Sequence, residues 1–201
     1  MSLDNVKPGD MFATSSKGLA SNLIQLGCLS LPNIGPLGRW GYAGASHVFI
    51  VAPVFGELIA YESTSFGRPP CLRTGRENPK GVQAHRLSEI LDAGGDVWHY
   101  PLRRPLYTHE EDRLLAFLES CLGKGYDFVG AGKSGGGVLA RLVQRHKGSE
   151  DLNQYFCSEL VVRAWIAVGQ MTHKNAGAWS PQRLVRYVLR RGICDKGSLV
   201  S

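Results

Sequence analysis

The chain has no C-x-x-C pair, and its five cysteines (Cys28, Cys71, Cys121, Cys157 and Cys194) are odd in number and widely spaced. That pattern speaks against a disulfide framework and against a structural zinc site. No stretch approaches the roughly 18 to 20 uninterrupted apolar residues of a membrane-spanning helix. Residues Met1 to Asp10 lack the basic-then-apolar order of a secretion signal. The expectation is a soluble protein, cytoplasmic as the sequence stands, with the cell envelope as its location if a leader has been removed. Glycine and proline, 25 and 10 of 201 residues, fall short of a low-complexity composition, and 43% hydrophobic residues supply a core. One domain over residues 1–201 is expected.

Negative charge is in the minority: 17 acidic against 23 basic residues, a net +6. The surplus gathers after Met171, where Lys174, Arg183, Arg186, Arg190, Arg191 and Lys196 face Asp195 alone. Such an end suits phosphates, anionic lipid or wall polymer, although a solvated helix face accounts for any single arginine. Zinc-finger spacing, an aromatic RNA-binding signature and a long basic run are all missing, so nucleic acid is not an expected partner.

Turn chemistry at Lys7-Pro8-Gly9-Asp10 precedes a short strand, Met11 to Ala13, and Leu19, Leu23 and Leu26 are spaced for a first helix. Residues 27–44, with five glycines and two prolines, read as a long loop that lines a site or acts as a lid. The β-rich runs HVFIVA (47–52) and ELIAYES (57–63) flank Pro53-Val54-Phe55-Gly56 as a hairpin. Val82 to His85 and Val97 to Leu102 read as strands, and Ser88 to Asp92 as a short helix. Thr108 with Glu111 has capping-box spacing and opens a helix through Leu122 whose stripe contains Leu114, Leu118 and Cys121. Further helices are expected at 138–146, at 156–168, and from Ser180-Pro181 to Gly192. Strands and helices do not alternate regularly, which selects a mixed α+β class over a doubly wound parallel sheet.

Gly130-Ala131-Gly132-Lys133-Ser134-Gly135 imitates a nucleotide loop. A P-loop needs glycine where this chain has Asp127, and no substantial strand precedes the glycines as a dinucleotide fold requires.

Chemistry concentrates at two places. With Val54 and Phe55 as the turn centre, Val51 is expected opposite Leu58, Phe49 opposite Ala60 and His47 opposite Glu62. A carboxylate beside an imidazole fixes its tautomer and raises its basicity. An ordinary surface cross-strand pair, worth a few tenths of a kcal/mol, satisfies the same spacing. Cys157 stands in the first turn of a predicted helix, where unpaired backbone N–H groups favour thiolate and can receive an oxyanion. A small buried core residue is the competing reading.

Taken in order, Gly9-Asp10, Ser46-His47-Val48, Tyr61-Glu62-Ser63, Gly125-Tyr126-Asp127-Phe128, Phe156-Cys157-Ser158-Glu159-Leu160-Val161 and Ser180-Pro181 resemble the circularly permuted branch of the NlpC-type papain-like superfamily, with YiiX-like amidases the nearest in pattern. The resemblance implies a papain-like α+β fold, an antiparallel sheet or small barrel with packed helices. It also implies a Cys157 nucleophile, His47 as base and then acid, Glu62 orienting His47, and Tyr126 near the substrate carbonyl. No metal or cofactor is required. The implied activity is a cysteine-dependent amidase or peptidase on amide bonds, cell-wall peptides (muropeptides) among them. Two alternatives stand beside it: a lipid-directed acyltransferase or thioesterase similar to lecithin:retinol acyltransferase, favoured by basic residues at 138–146 and the C-terminus, and a non-catalytic peptide- or glycan-binding module. His85, His99, His109, His146 and His173 are read as strand or surface residues. Trp40, Trp98 and Trp179 are read as core.

Overall fold

In the computed structural model the structure describes residues 5–15, 45–64, 69–77, 80–93, 95–126, 154–172, 176 and 179–200. The helices expected at 16–26 and 138–146 and the glycine-rich stretches 27–44 and 130–137 lie outside these residues. Strands β1 (Met11–Ser15), β2 (His47–Val54), β3 (Glu57–Thr64), β4 (Gly81–Arg86), β5 (Asp96–Tyr100) and β8 (Ser198–Leu199) form one sheet in the order β4-β3-β2-β1-β5-β8, antiparallel at every pairing. The helices are α1 (Leu87–Asp92), α2 (Thr108–Cys121), α3 (Cys157–Ala167) and α4 (Pro181–Arg190). A second, parallel pair, β6 (Gly125–Tyr126) with β7 (Gln154–Tyr155), has too few residues to leave a periodic signal. The architecture is α+β.

Alternation along the strands sorts the core into two layers. On one face Val48, Ile50, Tyr61 and Ala84 pack with Leu114 and Leu118 of α2, Leu160 and Trp165 of α3, and Leu184 of α4. On the other, Phe12, Phe49, Val51, Ala60 and Val97 pack with Val6 and with Leu87 and Ile90 of α1. The Gly9-Asp10 turn ties the layers together. Trp165 Nε1 donates to Gly9 O at 3.0 Å, and Gly9 N donates to Val51 O at 2.8 Å, so α3 is pinned to the start of the sheet. Asp10 is buried and accepts from Lys7 N and Leu102 N, both at 2.9 Å, and pairs with His99 Nε2 at 2.7 Å. A Cβ on Gly9, whose φ is +87°, would stand 2.8 Å from Leu102 and Leu106.

The β2–β3 hairpin corrects the expected register. It closes at Val54↔Glu57 around Phe55 (φ 49°) and Gly56 (φ 82°), a two-residue type I′ turn. Such a turn needs positive φ at both central residues, so Gly56 must be one of them. Val51 therefore faces Ala60, not Leu58, and Ile50 faces Tyr61. Each partner has moved by two residues, which is the side-chain period, so every residue keeps its face. A second correction concerns α2, which starts one residue earlier than its expected box. Tyr107 is the N-cap, and Glu110, gripped by both Arg104 nitrogens at 2.7 and 2.9 Å, accepts from Tyr107 N at 3.0 Å. The carboxylate already held by Arg104 does the capping in place of Glu111.

Phe55 is 97% exposed and occupies a left-handed conformation that costs an L-residue about 1–2 kcal/mol. Its ring lies 6.0 Å from the Arg73 guanidinium. Phe55→Asn, the natural I′ residue before glycine, should raise stability by about 0.5–1 kcal/mol, read as a higher urea midpoint at unchanged m-value. A lower midpoint would show that the Arg73 contact outweighs the backbone strain.

Candidate active site

His47 opens β2 and Glu62 lies near the end of β3. β2 and β3 pair from Ile50↔Tyr61 to Val54↔Glu57; beyond that point β2 pairs with β1 through Thr14↔His47, and β3 with β4 through Glu62↔Gln83. The gap between the two strands is bridged by side chains. His47 Nε2 meets Glu62 Oε2 at 2.7 Å, with Glu62 fully buried and His47 17% exposed. The contact is diagonal and not directly opposed, within reach because both side chains are long.

Cys157 is the first residue of α3 and is close enough to His47 for its charge to act on the imidazole. With Nε2 committed to Glu62, Nδ1 is the ring nitrogen left for the thiol. Phe156, the N-cap, supplies no side-chain oxygen to the first-turn N–H groups of α3. The helix is aimed from both ends. Trp165 holds Gly9, and Ser158 donates its hydroxyl to Trp179 O, one residue before the Ser180 cap of α4.

Burial works against the His47 imidazolium, but the charge and hydrogen bond of Cys157 and the bond and charge of Glu62 overcome it and lift His47 from 6.5 to about 10. Cys71 and Cys194 sit elsewhere. Burial pushes Cys194 up. Burial also penalises Cys71, but hydrogen bonds from Thr74, Ala84 N and Arg73 N outweigh it and bring that thiol below its ordinary value. Cys121 is core, as its place on the α2 stripe requires.

Tyr126 pairs with Tyr155 in the short parallel β6–β7 sheet, two residues before Cys157. Its segment is seated on β4 by Val82 N to Lys124 O at 2.9 Å and Gly123 N to Val82 O at 3.0 Å. Gly81 (φ +104°) makes the seat possible, since a Cβ there would fall 1.9 Å from Lys124 O.

Two residues that the sequence reading set aside belong to this neighbourhood. His85 is buried with Nε2 3.8 Å from Glu62 Oε1, and Gln83 is the fully buried cross-strand partner of Glu62. The available signal was the alternation Val82-Gln83-Ala84-His85, which puts two polar residues on one face of a buried strand. His99, also read as unremarkable, is half of the buried Asp10 pair and stacks on Phe12 at 4.8 Å. Trp179 is buried against Tyr187, whereas Trp40, His146 and His173 lie outside the described residues. Among the described residues no group of three histidine, cysteine, aspartate or glutamate side chains is arranged to hold a metal ion, and no helix is long and apolar enough to cross a membrane.

No family profile and no curated protein matches the chain. Among solved structures its fold is similar to the crystal structure of the metalloprotein yiiX from Escherichia coli O157:H7, DUF1105, at 15% sequence identity and a TM-score of 0.53, over 97% of this chain and 96% of that one. The likeness is one of fold.

A His47 raised in the folded state stabilises the protein fully below 6.5, the ordinary histidine value, and loses that contribution as pH rises toward about 10. The stability gap between wild type and His47→Gln, from urea unfolding at a series of pH values, should therefore be largest below pH 6.5 and close toward pH 10. A gap that widens with pH would contradict the assignment.

Proposed function

We propose that this protein is a cysteine-dependent hydrolase of amide bonds with Cys157 as nucleophile, His47 as general base and acid, and Glu62 orienting His47. One observation carries the reading: the imidazole that is bonded to a buried carboxylate also feels the charge of a thiol at a helix start. The thiol proton passes to His47 Nδ1, leaving thiolate beside imidazolium. Cys157 Sγ adds to the substrate carbonyl carbon, and the oxyanion forms where the Cys157 N–H and Tyr126 can support it. The tetrahedral intermediate collapses as the C–N bond breaks, the His47 proton leaves with the amine, and a thioester remains. His47 then takes a proton from water, whose hydroxide adds to the thioester. Collapse releases the carboxylic acid and restores the thiol.

The structural neighbour is described as a metalloprotein, and the residues here do not fit a metal at this place. Glu62 Oε2 and His47 Nε2 are bonded to each other, not turned toward a shared point, and no third ligand converges on them among the described residues. No step is routed through a metal.

A lipid-directed acyltransferase would use the same thiol and differ in its acceptor. Of the basic surfaces that favour it, residues 138–146 lie outside the described region, while α4 exposes Arg183 and Arg190. The partner class that suits this chemistry is a peptide, muropeptide or lipid amide or ester, with the exposed Arg183 and Arg190 of α4 facing an anionic surface.

The test is amine release from muropeptides, with mass spectrometry of the protein to trap a thioester on Cys157. Cys157→Ala should abolish release. Glu62→Gln should retain a reduced rate, because it weakens the orientation of His47 and leaves the nucleophile in place. Amine release that survives Cys157→Ala would refute the reading, and salt-sensitive vesicle binding with acyl transfer to a non-water acceptor would replace it with the acyltransferase.

A further inference from the structure

The Gln83 side chain is fully buried, yet among the described residues neither its amide nitrogen nor its amide oxygen has a hydrogen-bond partner. Leaving such groups unpaired forfeits their hydration with nothing in return, so an apolar residue of the same length would make a better core. Its position accounts for it. Gln83 is the cross-strand partner of Glu62 and points to the same face, and His85, two residues along β4, shares that face with Nε2 3.8 Å from Glu62 Oε1. From β2 to β4 the sheet thus presents His47, Glu62, then Gln83 with His85, while Glu62 Oε2 is already engaged by His47.

We propose that Gln83 and His85 are positioning residues for the Cys157–His47–Glu62 group. They form a polar seat on the far side of Glu62 that keeps its carboxylate ionised and Oε2 turned to His47. This rests on the reading of Cys157 and His47 given above and extends it to β4. A buried carboxylate in a purely apolar setting would neutralise or rotate, and His47 would lose its counter-charge. An amide one residue across the strand pair and an imidazole under 4 Å away prevent both.

The charged and titratable groups facing this seat come from few elements. β3 contributes Glu62, β2 contributes His47, α3 contributes Cys157 by way of His47, and the β6 segment seated on β4 brings Lys124 and Tyr126. On α1, Glu89 is taken up by Arg86, and Asp92 is exposed. Glu62 is the carboxylate that the seat addresses.

The test is a pH titration of His47 by ¹⁵N NMR of histidine-labelled protein, with thermal unfolding of each variant alongside. Gln83→Met and His85→Phe keep volume and remove polarity, whereas His85→Gln keeps a polar N–H. Both apolar variants should fold, with Gln83→Met melting no lower than wild type, and His47 should lose its proton at a lower pH by on the order of one unit, a tenfold change in proton affinity. His85→Gln should restore the wild-type titration. A purely structural role predicts the reverse pattern, with stability changed and His47 unmoved. If wild-type His47 holds its proton well above the ordinary histidine range and the apolar variants titrate identically, the seat is refuted and the catalytic reading stands. If wild-type His47 titrates as an ordinary histidine, both fall.

Discussion

The bond between His47 Nε2 and Glu62 Oε2 is the constraint on which the rest of the site depends. A carboxylate with no exposure is costly to bury, and it persists only where a cation or strong donors meet it. His47 is the partner, and the pairing leaves its other nitrogen for Cys157. Glu62 is fixed by the β3–β4 ladder, His47 by the β1–β2 ladder, and Cys157 by a helix anchored through Trp165 and Ser158. Three separate elements therefore carry the thiol, the imidazole and the carboxylate, with Cys157 at the start of a helix whose N-cap residue, Phe156, makes no side-chain cap.

The fold contains a second histidine–carboxylate pair, and the contrast is instructive. Asp10 and His99 also meet at 2.7 Å and are also buried. There the carboxylate accepts two backbone N–H groups as well, and the imidazole lies flat on Phe12. The three bonds of Asp10 hold the turn, His99 and Leu102 together. The two pairs share their 2.7 Å distance and differ in what else acts on the imidazole: the charge of Cys157 at His47, the stacked ring of Phe12 at His99.

Much of this was legible in the sequence because it rests on short-range rules. The α4 boundaries follow from Ser180-Pro181 and Gly192, α3 from the spacing of Leu160, Val161, Ala164 and Trp165, and the hairpin from two β-rich runs around a glycine. The His47–Glu62 proximity could be read off even with the turn misplaced by one residue, since the error moved partners by two and left faces unchanged. What could not be read is tertiary. Nothing local says that Gln83 and His85 stand behind Glu62, because the β3–β4 connection is irregular and sets no register. Nothing local pairs Gly125-Tyr126 with Gln154-Tyr155, two-residue strands separated by 27 positions. Likewise the role of Gly9-Asp10 emerges only when Trp165, from the other end of the chain, donates to Gly9 O.

The central claim is that Cys157 and His47 form a thiolate–imidazolium pair braced by Glu62. It is tested most directly by the pH dependence of iodoacetamide alkylation at each cysteine, resolved by mass spectrometry, in wild type and His47→Ala. Cys71 serves as the internal control, because its thiol is lowered by uncharged donors and owes nothing to His47. The account predicts that Cys157 reacts rapidly well below the ordinary thiol value of about 8.5 and loses that reactivity without His47, while Cys71 is unchanged. A Cys157 that is inert, or whose reactivity is the same in both proteins, would contradict it.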